Sequence, residues 1–309
     1  MSDKRAVLDR IVALIEEHGL TLDEIAARLG ARRSTGSPKG LVAQLLAYLG
    51  GIFVFSGVGL LMSFIWDDAG SAQRVVLSFG AGLAAFVLGI VCVHDVRFAK
   101  ATTPLFLISA FLQPFGLFVF LDEYLPPPED PQLAALGIFG VLAVQHAVVF
   151  YALRRSVLLF VAVAFGAAAI GAAMDLLGVD GEVIGVVIGA ALLGLAWVLG
   201  RTSHRVIAPF WFFVSGALLL GAWWSLTEGT AFDLSNLGLQ ALLIALSIRA
   251  TSRSLLVASV IGLFAYLSYF AYEHFADVVG WPLTMIALGL AMIGISGWAF
   301  RLGRRMGPA

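Results

Sequence analysis

Long apolar runs of similar length alternate along this chain with short polar connections. A membrane-crossing helix needs about 20 mostly apolar residues, because roughly 30 Å of hydrocarbon is crossed at 1.5 Å per residue. On that measure the pattern predicts ten spans, over residues 41–65, 75–93, 103–121, 133–153, 156–176, 183–200, 206–226, 234–248, 254–272 and 281–300. The eighth is the shortest, 15 residues between Asp233 and Arg249.

The connections alternate in charge. HDVRFAK, RR, RTSHR and RATSR follow the even-numbered spans. WDDAGSAQR, DEYLPPPEDPQ, GVDGE, TEGTAFD and EHFADVVG follow the odd-numbered ones. With the N-terminal tail on the basic side, every Lys and Arg of the 19 falls on that side except Arg74. Basic residues stay on the cytoplasmic face, so both termini are expected in the cytoplasm and the number of spans to be even. Trp66, Trp223, Trp224 and Trp281 fall near the acidic ends, and Trp197, Trp211 and Trp298 near the basic ends, where amphipathic rings anchor at headgroup level. Arg154, Arg201, Arg249 and Arg301 recur at intervals of 47, 48 and 52 residues, the length of a helical hairpin with its loops.

Composition agrees. The 309 residues are 60% hydrophobic and only 13% charged, against roughly 25% charged in a soluble domain. That excludes a soluble globule. The single cysteine, Cys92, lies in an apolar run and forms no internal disulfide.

The first 40 residues are polar and predict no cleavable signal peptide. Val7, Leu8, Ile11, Val12, Leu14 and Ile15 form an apolar stripe ended by Gly19. Thr21 to Glu24 (TLDE) is a capping box opening a second short helix, with Leu22, Ile25, Ala26 and Leu29 on one face. Residues 1–30 are thus expected as a two-helix cytoplasmic segment and 31–40 as a basic linker. The opening resembles a helix-turn-helix, but its basic residues cluster in the linker and no third helix precedes the membrane, so nucleic-acid binding is not expected. The hairpin is expected to pack on itself, on the membrane domain or on a cytoplasmic protein, and Arg32, Arg33 and Lys39 suit anionic headgroups.

Polar residues inside apolar spans need a reason. The third span carries Gln113-Pro114 and the fourth Gln145-His146; the acidic loop joining them makes the two helices expected neighbours. Pro114 removes a backbone donor and frees a carbonyl. Asn236 and Gln240 lie four residues apart on the short eighth span, and short spans mark transporter binding sites. Gln113, Pro114, Gln145, His146 and Gln240 therefore form a candidate intramembrane polar site, with His146 the titratable member. The competing reading is interhelical hydrogen-bond glue. No carboxylate lies at mid-span, which argues against a proton-coupled pump. Gly185 and Gly189 form a GxxxG facing, on this reading, Ala168 and Ala172 of the preceding span.

No HExxH, GxSxG, P-loop or paired Cys and His at metal spacing is present. Neither catalytic residues nor a metal or cofactor is expected, and the chain is not read as an enzyme. Asp67 and Asp68, beside Trp66, read as the first acidic loop at the outer interface. Arg74 is close enough in sequence to balance them.

The run Leu45 to Asp68, LLAYLGGIFVFSGVGLLMSFIWDD, resembles the start of a bacterial family of predicted membrane proteins known as domain of unknown function 2157. Ala47-Tyr48-Leu49-Gly50 and Trp66-Asp67 carry the likeness; where that family commonly has Asn before the Trp, this chain has Ile65. The resemblance covers about residues 1–100 and implies a short helical cytoplasmic start, a first span ending at Trp-Asp and further helical hairpins. It implies no activity. By span count and topology alone the chain is also similar to drug/metabolite transporters.

The expected fold is all-α: ten transmembrane helices over 41–300, a cytoplasmic helical hairpin before them and a basic tail at 301–309. The expected place is the inner membrane. The expected function is permease-like movement of a small solute; the alternative is a non-transporting scaffold or regulator acting through its cytoplasmic segment.

Overall fold

The computed structural model describes residues 63–95, 98, 101–126, 128 and 130–275, with scattered positions before and after them. The chain divides into two units, Met1–Gly70 and Ser71–Ala309. Most of the expected hairpin 1–30, the linker 31–40, most of the first span, most of the tenth span and the tail 301–309 lie outside the described residues.

In the first unit, the helix through residues 63–66 ends in a turn closed by the Ala69 N–H on the Trp66 carbonyl, at 3.3 Å. Asp67 and Asp68 occupy that turn and are exposed.

The described part of the second unit is a run of helices: α1 Ser71–His94, α2 Thr102–Tyr124, α3 Pro131–Leu153, α4 Ser156–Leu176, α5 Gly181–Leu199, α6 Ala208–Thr227, α7 Ser235–Arg249 and α8 Arg253–Phe275. No strand occurs among the described residues. These helices match the second to ninth expected spans. Seven are long and apolar enough to cross a membrane; α7, at 15 residues, is shorter. At 1.5 Å per residue it reaches about 22 Å, less than a hydrocarbon core of roughly 30 Å.

The helices are apolar on their outer faces as well as their inner ones. On α3, Ile138, Leu142 and His146 are buried at four-residue spacing, while Val141, Val144, Val148 and Tyr151 form an exposed stripe. A helix that presents β-branched and aromatic side chains outward needs an apolar solvent. The protein is a multi-pass membrane protein.

Helices pack most closely across the basic turns: α1 on α2, α3 on α4, α5 on α6 and α7 on α8, with α6 also against α8. Only Arg154 and Arg155 separate α3 from α4, and Arg154 adopts a left-handed conformation, φ 52°, that caps α3 and reverses the chain. Its guanidinium folds back over the Tyr151 ring at 4.7 Å. At the start of α3, Asp130 accepts from the Gln132 N–H at 2.8 Å, with Pro131 in the first turn. Both features are strong helix-start devices.

The Gly185–Gly189 pair does bring backbones together, but the partner is α6 rather than α4. A Cβ at Gly185 meets Ala222 at 2.6 Å, and one at Gly189 meets Leu219 at 2.8 Å. The hairpin on the far side of α5 outcompetes the acidic-loop neighbour for the smooth face. Trp211 is likewise no interfacial anchor: it is 3% exposed and packs against Phe160 and Phe210.

Candidate functional site

Gln113 and His146 are both fully buried. Gln113 Nε2 donates to Ser109 Oγ at 3.0 Å on its own helix, while its Oε1 has no partner. The residue sits where a Cβ on Gly82 of α1 would meet the Gln113 backbone at 2.8 Å. His146 Nδ1 lies 2.8 Å from the Leu142 carbonyl, Nε2 has no partner, and the ring is wedged edge-on between Phe86 of α1 and Phe165 of α4. Gln145 is half-buried. Gln113 and His146 thus meet α1 one turn apart, at Gly82 and Phe86, and no hydrogen bond joins them. The acidic-loop neighbours α2 and α3 pack far less closely than each does with its basic-turn partner. The surroundings of His146 are apolar and closed.

Opposite Gly116, two residues after Pro114, the backbone departs from regular helix. Residues Val76–Gly80 of α1 form a π turn, in which Ser78 Oγ donates to the Arg74 carbonyl at 2.7 Å. A Cβ on Gly116 would fall inside the backbone of Phe79. The widened turn and the glycine after the proline therefore let two main chains touch. Such turns are rare and concentrate at functional sites.

Gln240 belongs elsewhere. α7 packs on α6 and α8, whereas α2 packs on α1, α3 and α4. Gln240 and Asn236 face a cavity of about 210 Å³ between α6, α7 and α8. Its polar end is formed by Trp224, Asn236, Gln240 and Tyr266, and its apolar end by Phe213, Ala217, Leu220 and Ile261. Gly221 and Gly262 leave the room that side chains would fill.

A network pins the start of α7 at the polar end. Asn236 Nδ2 donates to Thr227 Oγ1 at 2.8 Å and to the Asp233 carbonyl at 2.9 Å. Trp223 Nε1 donates to Ser235 Oγ at 2.9 Å, and the Tyr266 hydroxyl to the Asp233 carbonyl at 3.0 Å. Three buried atoms here have no hydrogen-bond partner: Trp224 Nε1, Gln240 Oε1 and Asp233 Oδ1. Buried polar atoms are normally satisfied, and two of these, on Trp224 and Gln240, belong to the cavity lining, which makes this the strongest candidate ligand site in the described part.

The sequence pattern reached Asn236 and Gln240 but not Trp224, Asp233 or Tyr266. Counting residues inward from the acidic loops would have brought them together, since Trp224 lies four residues before Glu228 and Tyr266 seven before Glu273.

Arg74 has a partner beyond its own loop. It bonds Glu123 at the end of α2 at 2.6 Å, with the two side chains 26% and 14% exposed. Among the described residues no group of three or more His, Cys, Asp or Glu is placed to hold a metal. His204 Nδ1 lies 2.9 Å from Ser156 Oγ, which ties two basic turns together at one end of the bundle.

Residues 14–158 match the model of a family described as predicted membrane protein (DUF2157). The match extends past the first hundred residues, through α1, α2 and α3. The π turn, Gln113, His146 and the Arg74–Glu123 pair lie inside it, and the α6–α8 cavity lies beyond it. No curated protein and no solved structure matches the chain.

Proposed function

We propose that the protein is a permease-like carrier of a small solute, with ten spans, both termini cytoplasmic, in the bacterial inner membrane. The observation that carries this reading is the α6–α8 cavity. It sits beside the one described helix that is too short to cross the bilayer alone, and it combines an apolar wall with unpartnered polar atoms. Ligand sites are built in this way, mostly apolar with a few convergent polar groups, and interrupted or short helices mark them in carriers. The charge sorting of the loops supports the orientation. Gln113 and His146 serve as packing contacts in this scheme rather than as part of the path.

The test is a solute-uptake screen in cells with and without the gene, repeated with Gln240→Leu and Trp224→Leu. Uptake of at least one solute class should depend on the gene and fall in both variants at normal membrane abundance. Gene-dependent uptake unaffected by either change would move the path away from this cavity. If no solute responds while deletion of residues 1–30 abolishes the cellular phenotype, the chain acts as a scaffold through its cytoplasmic segment.

A further inference from the structure

The chemistry of the cavity's polar end specifies a charge. Trp224 stands in a cluster of rings, edge-on to Tyr266 at 6.1 Å and tilted against Tyr269 at 5.0 Å. Aromatic faces carry negative potential and attract cations, tryptophan most strongly. The Asp233 carboxylate lies beside the Tyr266 hydroxyl, and the Glu228 and Glu273 carboxylates lie near Tyr269. No Lys or Arg occurs between residues 206 and 248 or between 254 and 275, so Arg205, Arg249 and Arg253 all sit at the opposite ends of their helices.

Acidic loops alone prove nothing, because every loop at this end of the bundle is acidic. The independent observation is Gln240. Its side chain is 2% exposed, faces the cavity, and its Oε1 acceptor has no partner. Asp233 Oδ1, in the loop before α7 and outside the cavity lining, is another buried acceptor without a partner. The unpartnered Gln240 acceptor in the lining, the aromatic faces and the carboxylates of the adjoining loop suit a donor-rich positive group, and the unpartnered Trp224 N–H is left to the wall beside it. The far wall, formed by Phe213, Ala217, Leu220 and Ile261, calls for an alkyl or aryl body. A volume of about 210 Å³ suits a compact molecule rather than a drug-sized one.

We infer that the α6–α8 cavity binds a small organic ammonium ion, its head at Trp224, Gln240 and Tyr266 and its apolar body along Phe213, Leu220 and Ile261. This rests on reading the cavity as the ligand site of the proposed carrier. Binding without transport is nevertheless a separate measurement.

The experiment is equilibrium binding of radiolabelled n-butylammonium to the full chain in lipid nanodiscs, with n-butanol as the neutral competitor of nearly the same length. Saturable binding is expected, displaced by unlabelled n-butylammonium at least tenfold more effectively than by n-butanol. Trp224→Leu should weaken it by roughly tenfold or more, the scale of a desolvated cation–ring contact. Trp224→Phe should keep part of it, and Gln240→Leu should reduce it. Thermal unfolding of each variant shows whether the bundle is intact. Equal competition by n-butanol, or unchanged binding by well-folded Trp224→Leu and Gln240→Leu, would overturn the inference. Cation binding without uptake would leave the inference standing and remove the carrier reading. Uptake of a neutral or anionic solute without cation binding would do the reverse.

Discussion

Arg74 and Glu123, 49 residues apart, meet in a 2.6 Å ion pair that ties the start of α1 to the end of α2. Among the described residues of the helical bundle, Arg74 is the one basic residue at the acidic-loop ends of the helices, and its position is explained by this partner. The pair sits directly before the π turn of Val76–Gly80, so it anchors the helix where its geometry changes. Replacing Arg74 with Gln, or Glu123 with Gln, should lower the thermal unfolding midpoint of the purified protein. The double variant should be no less stable than the weaker single one, because both changes remove the same interaction. Additive losses in that cycle would show that the two side chains act independently.

The contact of Gly116 with the Phe79 backbone sets up a sharper prediction. Overpacking a core typically costs about 1–3 kcal/mol when side chains can shift. Here the obstacle is main chain, so Gly116→Ala should exceed that range or force α1 and α2 apart. Gly137 on α3 has nothing within 4 Å of its missing Cβ. Gly137→Ala should therefore stabilise, by about 0.5–1 kcal/mol from helix propensity. Parallel unfolding curves in detergent decide the matter, and similar behaviour of the two variants would remove the close approach as a constraint.

His146 offers a test of what its burial means. Its ring lies between Phe86 and Phe165, and Nε2 has no hydrogen-bond partner. A phenylalanine keeps the ring contacts and discards the unsatisfied atom. His146→Phe should be as stable as the parent or more so, and solute uptake should be unchanged. Loss of uptake by a well-folded His146→Phe protein would return this residue to the transport path.

Helix positions were legible in the sequence because apolar length and charge alternation are both read one residue at a time. The ends of α4, Ser156–Leu176, coincide with the expected span, fixed by Arg155 on one side and Gly178 on the other. Pairing was less legible. The acidic loop between Gln113 and Gln145 suggested that their helices were neighbours, but the two-residue turn at Arg154 binds α3 to α4 first. The GxxxG of α5 was visible as a smooth face, though not which helix would use it. The π turn left no trace, since Val76–Gly80 reads as ordinary helix and the close approach that accompanies it comes from Gly116 on another element. At the cavity, the spacing of Asn236 and Gln240 pointed inward, while the three unpartnered atoms exist only once α6, α7 and α8 are packed.

Asn236 and Gln240 lie one turn apart on α7 and should respond in opposite ways. Asn236 donates to Thr227 Oγ1, which holds the short helix to α6, and to the Asp233 carbonyl in the loop just before α7. Interhelical bonds of this kind contribute about 0.6 kcal/mol on average in membranes, and up to about 1.7. Asn236→Leu should cost an amount in that range and loosen the start of α7. Gln240 Oε1 makes no bond, and removing a buried group that is already unsatisfied is neutral or stabilising. Gln240→Leu should therefore leave the unfolding midpoint unchanged or raised while impairing uptake. A stability loss for Gln240→Leu equal to that for Asn236→Leu would mean that both residues are structural, and the cavity would lose its main polar determinant.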